Sequence, residues 1–308
     1  MEQHTAVLLM AYGSPSSLDE VGEYLSQVRG GRPTAPQDID RLQERYRKVG
    51  GQTPLLKITQ AQASGLQQRL DRENFSVRVY VGMKHWHPFI EETVPTIVRE
   101  NAASIIGLAL APHYSKLSIG GYEDAVRRGL ASSPIPFLMV KSWHTQPHLI
   151  DALARRIREG LDSMDKPSEA ALLFTAHSLP KRFVQPDDPY VAQLSETSRL
   201  VAEKAGVRSW EFAFQSAGEP ADSWLGPQIK EKILEISKNH YRELLVCPVG
   251  FVSDHLEILY DLDIEAKEYG RDLGINLSRT ASLNDDPLFI SALAETVKPA
   301  LSRSITAS

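Results

Sequence analysis

Ala171-Leu-Leu-Phe-Thr-Ala-His-Ser-Leu-Pro180 joins a nearly unbroken apolar run to a polar loop. A strand that is apolar on both faces is typical of a sheet that helices cover on both sides, as in parallel α/β proteins. In such sheets ligands bind beyond the carboxyl ends of the strands. The stretch therefore predicts a buried strand of a parallel sheet, with His177 in a loop at the ligand-binding edge.

Seven further short apolar runs occur along the chain, and longer amphipathic stretches separate them. In chain order, the eight runs cover residues 7–11, 77–81, 105–110, 137–140, 171–175, 211–214, 244–249 and 275–277. Helical patterns include residues 59–72, 88–100, 147–161 and 190–205. This alternation predicts the α/β class with parallel sheets. Two groups of four strands predict two similar domains, residues 1–155 and 156–308, with the break within residues 147–166.

The same pattern, a strand followed by a polar loop, occurs twice in each half. The loops lie in residues 10–15 and 109–115 of the first half and in residues 174–180 and 246–257 of the second. Because ligands bind beyond the carboxyl ends of parallel strands, we expect these loops to face one cleft between the halves. The sequence contains no Gly-x-Gly-x-x-Gly or Walker-type loop, so it gives no support for nucleotide binding.

The composition is that of an ordinary globular protein, with 42% hydrophobic and 24% charged residues in a chain of 308. A formal net charge of −5 argues against a nucleic-acid partner. The single cysteine, Cys247, excludes an internal disulfide framework and a four-cysteine zinc or iron–sulfur site. Such a chain fits the reducing cytoplasm. Because no signal-peptide pattern and no run of roughly 18 apolar residues occurs, we expect no stable membrane insertion.

The segment Ser253-Asp-His-Leu-Glu-Ile-Leu-Tyr-Asp-Leu-Asp-Ile-Glu265 is the most informative about chemistry. Read as a helix that starts near Asp254, it places Glu257, Asp261 and Glu265 above one another on one face. Like charges at this spacing destabilise a helix, so the column favours a cation-binding role. The structural alternative is that Asp254 and Glu257 form a capping box and that acids early in a helix suit its dipole. That alternative hardly explains Glu265, two turns further in.

His177 and Glu257 are candidates for a shared site. A lone histidine after a strand is more often structural, but an imidazole and a carboxylate that converge in a cleft form an open site for Fe²⁺. They also form a proton-accepting pair, because histidine titrates near neutral pH. Tyr12 closes the first strand. A tyrosine there is usually a half-buried packing residue, yet a phenolate is also an axial ligand of haem-type iron.

Basic and hydroxyl-bearing residues recur between positions 29 and 53. They are Arg29, Arg45, Tyr46 and Thr53. The guanidinium group of arginine binds carboxylates through two hydrogen bonds, so this segment suits a substrate that carries several carboxylates. The alternative is that Arg45 belongs to a charged helical stretch, where salt bridges between residues four apart are routine.

Several longer motifs resemble those of the ferrochelatases, enzymes that insert ferrous iron into porphyrins. The matching segments are Leu8–Pro15, Gly50–Leu55, Gly82–His85, Ala111–Ser115, Ala176–Pro180, Trp224–Pro227 and Pro248–Glu257. The resemblance covers nearly the whole chain and is closest to the soluble bacterial coproporphyrin ferrochelatases. It implies two similar Rossmann-like domains, each with a four-stranded parallel sheet flanked by helices, around a porphyrin cleft. This architecture agrees with the number of predicted strands.

The resemblance also implies roles for single residues. His177 and Glu257 correspond to the catalytic histidine and the metal-site glutamate of the family. Asp261 and Glu265 correspond to acids at an outer cation site. Tyr12 resembles the axial ligand of the iron product and is the best discriminator of the coproporphyrin type. The residues that correspond to propionate-binding positions are Arg29, Arg45, Tyr46, Thr53 and Tyr122.

The implied protein is a monomeric cytoplasmic lyase of haem biosynthesis that inserts Fe²⁺ into coproporphyrin III. It requires no cofactor; Fe²⁺ is its substrate metal, and Mg²⁺ would bind at the outer site. Transient contact with neighbouring enzymes of the haem pathway is also implied, and nucleic acid is not a partner. The chain departs from the family pattern at Thr53, where serine is common, but the hydroxyl is retained.

Three alternatives stay open. The first is a ferrochelatase that uses protoporphyrin IX, and the second is a chelatase for sirohydrochlorin-type rings. That second type tends to be shorter and uses a further histidine in place of the Tyr12 arrangement. The third is a non-catalytic tetrapyrrole carrier, which needs a pocket and an axial ligand but not the acids Glu257, Asp261 and Glu265. Turnover of a purified porphyrin with Fe²⁺ separates an enzyme from a carrier.

Overall fold

A computed structural model describes residues 3–218, 220 and 223–306. Its strands are β1 Thr5–Ala11, β2 Val77–Met83, β3 Ser104–Ala109, β4 Phe137–Val140, β5 Ala170–His177, β6 Glu211–Gln215, β7 Glu243–Cys247 and β8 Asn276–Arg279. Its helices are α1 Val21–Val28, α2 Pro36–Lys48, α3 Leu55–Arg72, α4 Ile90–Arg99, α5 Gly121–Leu130, α6 Pro147–Asp162, α7 Tyr190–Ala205, α8 Ile229–Lys238, α9 Leu256–Leu259, α10 Lys267–Asp272 and α11 Pro287–Thr306. Every predicted apolar run forms a strand, and the α/β prediction is confirmed. Within the described residues, no helix is both long and apolar enough to cross a membrane.

The strands of the described chain form two four-stranded parallel sheets with the same topology. The strand order is β2-β1-β3-β4 in the first sheet and β6-β5-β7-β8 in the second. In each sheet the strand order reverses beside β1 or β5, and a crevice at such a switch point is the usual ligand site of open α/β sheets. Tyr12 directly follows β1, and His177 is the last residue of β5. The fold therefore brings these two residues to equivalent positions in the two halves.

Local sequence explains where some helices begin and end. The side chain of Gln146 accepts hydrogen bonds from the backbone amides of His148 and Leu149 at the start of α6. Pro147 fits the first turn of that helix, where its missing N–H group is not needed. The next helix, α7, ends at Gly206, whose φ of 80° lies in the left-handed region that glycine adopts readily. These ends set the lengths of two helices that pack together.

The last helix of each half packs against the other half. α6 ends the first half but packs against β7 and α7, whereas α11 ends the second half and packs against α3, β1 and β3. One core of buried residues, which includes Leu9, Phe174, Leu245 and Leu293, therefore runs through both halves. The domain boundary predicted between residues 155 and 156 falls inside α6.

The segment predicted as one regular helix from Asp254 is irregular. The short helix α9 is followed by a wider π-helical turn, Asp261–Ala266. In this turn the amide of Glu265 donates to the carbonyl of Tyr260, five residues earlier, at 2.9 Å. A turn of this kind adds a residue to the helix. Burial and, after it, the charges of Glu257 and Glu265 raise the pKa of Asp261, so the three acids lie near one another along this segment.

The structural alternative, a capping box that begins at Asp254, is not what forms. The residue that precedes α9 is His255. The carboxylate of Asp254 instead accepts hydrogen bonds from Arg279, Ser282 and Asn284, at 3.0, 2.7 and 2.9 Å. These three residues lie at the end of β8 and in the loop after it. Asp254 therefore fixes the segment before α9 to that loop.

Candidate active site

A cleft with a volume of about 410 Å³ lies between the two halves. Tyr12 and His177, at the ends of equivalent strands, both line it. Its walls are largely apolar and include Leu55, Leu110, Leu117, Leu179, Trp224 and Phe251. Apolar walls with a few convergent polar groups are typical of a site for a small organic molecule. The predicted cleft between the halves is present.

His177 and Glu257 form a hydrogen-bonded pair on the wall that the second half contributes. Nδ1 of His177 lies 3.0 Å from Oε2 of Glu257. Hydrogen bonds also fix the backbone of both residues. The Tyr190 hydroxyl donates to the His177 carbonyl, and the Gln215 side chain donates to the Glu257 carbonyl. Because Nδ1 is bound to Glu257, Nε2 is the ring nitrogen that remains for a ligand.

The two side chains of this pair shift each other's pKa. Burial alone would lower the pKa of His177, but the adjacent Glu257 carboxylate raises it above its ordinary value. Burial would raise the pKa of Glu257, yet the positive charge of His177 holds it well below its usual range. The pair therefore favours imidazolium beside carboxylate. A proton accepted by His177 is stabilised there, which is the property of a general base.

The loop after β7 lies directly against the end of β5. The amide of Gly250 donates to the carbonyl of Thr175 at 3.1 Å. A Cβ atom on Gly250 would lie only 2.6 Å from the Cβ of Ala176, the residue before His177. Because only glycine lacks this atom, glycine alone allows so close an approach. The close packing brings the segment that leads to Glu257 next to His177.

Tyr12 lies on the wall that the first half contributes. Although 42% of Tyr12 is exposed, enclosure by the cleft, followed by the charge of Glu257, raises the pKa of its phenol well above the usual value. The His85 ring packs against it, with ring centroids 4.5 Å apart. Burial and the neighbouring Lys84 lower the pKa of His85 to about 4, so that this imidazole is neutral near pH 7.

Asp261 and Glu265, predicted at an outer cation site, have separate partners. Asp261 is buried and accepts hydrogen bonds from Arg45 of α2 and from the Ser216 hydroxyl. Burial raises the pKa of Asp261 to about 6, although Arg45 opposes this shift. Glu265 lies 3.4 Å from Nζ of Lys230. Among residues 3–218, 220 and 223–306, no three His, Cys, Asp or Glu side chains are grouped closely enough to hold a metal ion.

Three more of the residues predicted to bind carboxylates lie in or next to the hairpin of α1 and α2. The hydroxyl groups of Tyr46 and Thr53 both contact the Ser14 hydroxyl, at 3.0 and 2.8 Å. Arg29 is exposed and lies 2.9 Å from the carboxylate of Asp38. The two hydroxyl groups therefore lie next to the loop that follows β1, whereas the guanidinium of Arg29 lies at the end of α1.

The cleft also contains residues that were not among the predicted site residues. Lys84, His85, Trp224 and His255 all line it. Lys84 Nζ lies 5.2 Å from the centre of the ring of Tyr122, which lines the cleft as well. Lys84 and His85 directly follow β2, so the rule that ligands bind beyond strand ends would have found them. Trp224 lies between β6 and α8 and carries no such signal.

Two α/β halves of one topology, with a histidine–carboxylate pair and a tyrosine facing an apolar cleft between them, define a chelatase-like protein. The sirohydrochlorin chelatase SirB from Bacillus subtilis, solved with Fe³⁺, has the same fold. The alignment covers 99% of this chain and 98% of that chain, with a TM-score of 0.62 and 14% identity. At this identity the likeness shows the fold alone.

Sequence comparison defines the family. The ferrochelatase family model matches residues 4–301. A ferrochelatase from Herpetosiphon aurantiacus is 44% identical, and the match covers 96% of this chain and 99% of the relative. A coproporphyrin III ferrochelatase from Geobacillus thermodenitrificans is 37% identical, with 96% of each chain covered. The chain belongs to the ferrochelatase family, and the resemblance found in its motifs is confirmed.

Proposed function

We propose that the chain inserts Fe²⁺ into coproporphyrin III. The observation that carries the proposal is that the His177–Glu257 pair and Tyr12 line one apolar cleft, at the ends of equivalent strands. The arginine and hydroxyl groups between the end of α1 and the start of α3 suit a porphyrin with four carboxylates better than one with two. Relatives named coproporphyrin III ferrochelatase support this substrate, whereas other relatives are named ferrochelatase.

In the proposed reaction the metal replaces two pyrrole protons of the porphyrin. Nε2 of His177 accepts one of these protons, the other is released to water, and Glu257, bound to Nδ1, stabilises the imidazolium that forms. The raised pKa of His177 increases the affinity of this nitrogen for a proton. A positioned base of this kind typically contributes ~10²–10⁴-fold to the rate of a proton transfer.

Carboxylate binding at a distance from the metal supplies energy for positioning and bending the ring. The nitrogen lone pairs of a planar porphyrin lie in the ring plane, so metal entry requires distortion, and remote binding energy can stabilise the distorted ring. In the free protein Arg29 is paired with Asp38. Exposed ion pairs of this kind are weak, so a substrate carboxylate can replace Asp38 at small cost.

Tyr12 is the proposed axial ligand of the iron product. A phenol becomes a strong iron ligand only after it loses its proton, and the raised pKa of Tyr12 opposes that loss in the free protein. A nearby cation reverses this preference, because it stabilises the phenolate. Tyr12 is therefore expected to ligate iron after insertion rather than to bind the metal-free ring.

An anaerobic assay with purified protein and Fe²⁺ tests the proposal. We expect kcat/KM for coproporphyrin III to exceed that for protoporphyrin IX by at least about tenfold, since one charge-assisted hydrogen bond already contributes ~1.5–3 kcal/mol. Equal or faster turnover of protoporphyrin IX would identify that porphyrin as the substrate. Porphyrin binding without turnover of either compound would identify a carrier.

A further inference from the structure

Arg45 and Asp261 form an ion pair that joins the two halves and that the proposed reaction does not use. Arg45 belongs to α2 of the first half, and Asp261 begins the π-helical turn of the second. The side chain of Asp261 is 6% exposed, whereas that of Arg45 is 30% exposed. The Arg45 guanidinium also lies over the ring of Tyr260, 4.6 Å from its centre. The acid is thus held inside the protein, while its partner reaches water.

The two partners differ in how well their polar atoms are satisfied. The other oxygen of the Asp261 carboxylate accepts a hydrogen bond from Ser216, so both of its oxygens are used. Nε of Arg45 is buried and makes no hydrogen bond to any described residue. A buried donor without an acceptor is unfavourable. Asp261 therefore satisfies the Arg45 guanidinium only in part, and an acceptor that displaced Asp261 and also bound Nε would be favoured.

The pair also lies next to the reacting centre. Asp261 is four residues after Glu257, and its charge is felt by His177. The residue beside Arg45 is Tyr46, whose hydroxyl contacts Ser14 in the loop after β1. A porphyrin carboxylate that reaches the hairpin of α1 and α2 would therefore meet an arginine that already has an anionic partner.

We propose that Asp261 is a specificity-determining residue that competes with a porphyrin carboxylate for Arg45. The inference rests on the proposed function, in which Arg45 binds such a carboxylate. Competition lowers the apparent affinity for the porphyrin to the intrinsic affinity multiplied by the fraction of molecules in which Arg45 is free of Asp261. A porphyrin without a carboxylate at this position cannot displace Asp261. A porphyrin that has such a carboxylate binds Arg45 and releases the Asp261 carboxylate beside Glu257. Porphyrin binding and the release of Asp261 are therefore coupled.

A purely structural role makes the opposite prediction. If the Arg45–Asp261 pair only stabilises the contact between the two halves, removal of the Asp261 charge weakens that contact, and the porphyrin binds equally well or more weakly. If the two anions compete, the same change frees Arg45, and the porphyrin binds more tightly. The direction of the change in affinity therefore separates the two roles.

The test is equilibrium titration of metal-free coproporphyrin III, followed by fluorescence, into the parent and Asp261→Asn. Glu268→Gln is the matched control, because it removes one negative charge from an exposed side chain of α10, seven residues after Asp261. Asp261→Ser is measured alongside, with melting curves, so that the answer does not depend on the folding of one variant. Arg45→Ala, alone and combined with Asp261→Asn, completes a double-mutant cycle.

We expect Asp261→Asn to bind coproporphyrin III roughly five- to fiftyfold more tightly, in the usual range of coupling between two sites. Glu268→Gln should change the affinity less than about threefold, since water and salt screen the charge of an exposed side chain. Asp261→Asn should give no tightening in the Arg45→Ala background. Unchanged or weaker binding by the folded Asp261 variants would overturn the inference. If the parent itself did not bind the porphyrin, the proposed function would be wrong instead.

Discussion

At the scale of single residues, the site depends on two side chains that are 80 positions apart and meet at 3.0 Å. Burial alone would make His177 a weaker base and Glu257 a neutral acid. Each side chain offsets the effect of burial on the pKa of the other, because the carboxylate stabilises the imidazolium and the imidazolium stabilises the carboxylate. Because about two-thirds of each side chain is buried, water screens this interaction less than it would at the surface.

His177→Ala is expected to slow iron insertion by ~10²–10⁴-fold while porphyrin binding changes little, because the base is lost and the walls of the cleft remain. Anaerobic turnover and fluorescence titration measure the two effects separately. His87→Ala, in the loop after β2, is the control, because the His87 side chain is 58% exposed. Turnover by His177→Ala within about twofold of the parent would show that His177 has only a structural role.

Sequence patterns predicted which residues lie at strand ends better than they predicted which side chains contact each other. Tyr12 and His177 were found because each follows an apolar run, and strand ends are where α/β sheets bind ligands. The contact of Arg45 with Asp261 joins residues 216 positions apart. Such a contact depends on how the two halves pack, and no local pattern encodes it. Arg45 was predicted to bind a carboxylate of the substrate, and the structure shows that in the free protein it binds one from the chain itself.

At the scale of elements, close packing of the loop after β7 on β5 positions α9. This packing depends on Gly250, because a Cβ atom at that position would overlap with Ala176. The same loop continues through Asp254, which is anchored to the loop after β8. Glu257 is therefore placed by contacts at both ends of one short segment.

Gly250→Ala is expected to destabilise the protein by ~1–3 kcal/mol, the usual range for overpacking a close contact, and to slow iron insertion by moving Glu257 away from His177. Urea unfolding and single-turnover rates measure both effects. Gly120→Ala is the control, because the nearest atom to a Cβ there lies at 3.8 Å and its φ is −55°. If the two variants were equally stable and equally active, the close approach at Gly250 would not position Glu257.

The helices and strands were largely predictable, but the π-helical turn was not. Apolar runs and helical periodicity report burial, which extends over many residues, so the alternation of elements could be predicted. A π-helical turn changes the hydrogen-bonding pattern of only one turn. Its first residue, Asp261, is held by Arg45 and Ser216, which belong to other elements. The position of this turn therefore depends on tertiary contacts that the segment itself does not encode.

At the scale of the whole molecule, two helices join the halves on either side of the cleft. α6 of the first half packs against the second half, and α11 of the second half packs against the first. The two helices also meet through charged groups, since Asp286 at the start of α11 binds Arg155 and Arg156 of α6. Asp286 also accepts a hydrogen bond from the amide of Leu288 at 2.9 Å. Strand–helix alternation predicts two halves but does not say which sheet a terminal helix covers. For this reason the predicted boundary fell inside α6.

Asp286→Asn is expected to lower the free energy of unfolding at pH 7 by about 1–2 kcal/mol. Asparagine still caps a helix, so the change removes mainly the charge on Asp286. The figure is at the low end for bonds between charged groups, because the side chain of Arg155 is 37% exposed and water screens it. Urea unfolding at pH 7 measures the change, with Asp285→Asn, the exposed neighbour, as the control.

The same variant has a predictable pH dependence. Burial would raise the pKa of Asp286, but the bond from Arg155 holds it below its usual value. A carboxyl group with a lowered pKa in the folded state contributes stability above its unfolded pKa of about 3.9 and loses it as the pH falls. The stability difference between parent and Asp286→Asn should therefore be nearly constant from pH 7 to about 5 and shrink as the pH falls through about 4 and below. A difference that stays constant below pH 4 would exclude the charge as its cause.

The most direct test of the account is the single-turnover rate of Fe²⁺ insertion into coproporphyrin III, measured against pH for the parent and for Glu257→Gln. In the parent the rate should rise with pH as His177 loses its proton and becomes able to accept another. In Glu257→Gln burial acts without the carboxylate, so the pKa of His177 falls, the rise moves to lower pH, and the plateau is slower because the base is weaker. A rise at the same pH in both proteins, with the same plateau, would contradict the assignment of His177 and Glu257 as the base of metal insertion.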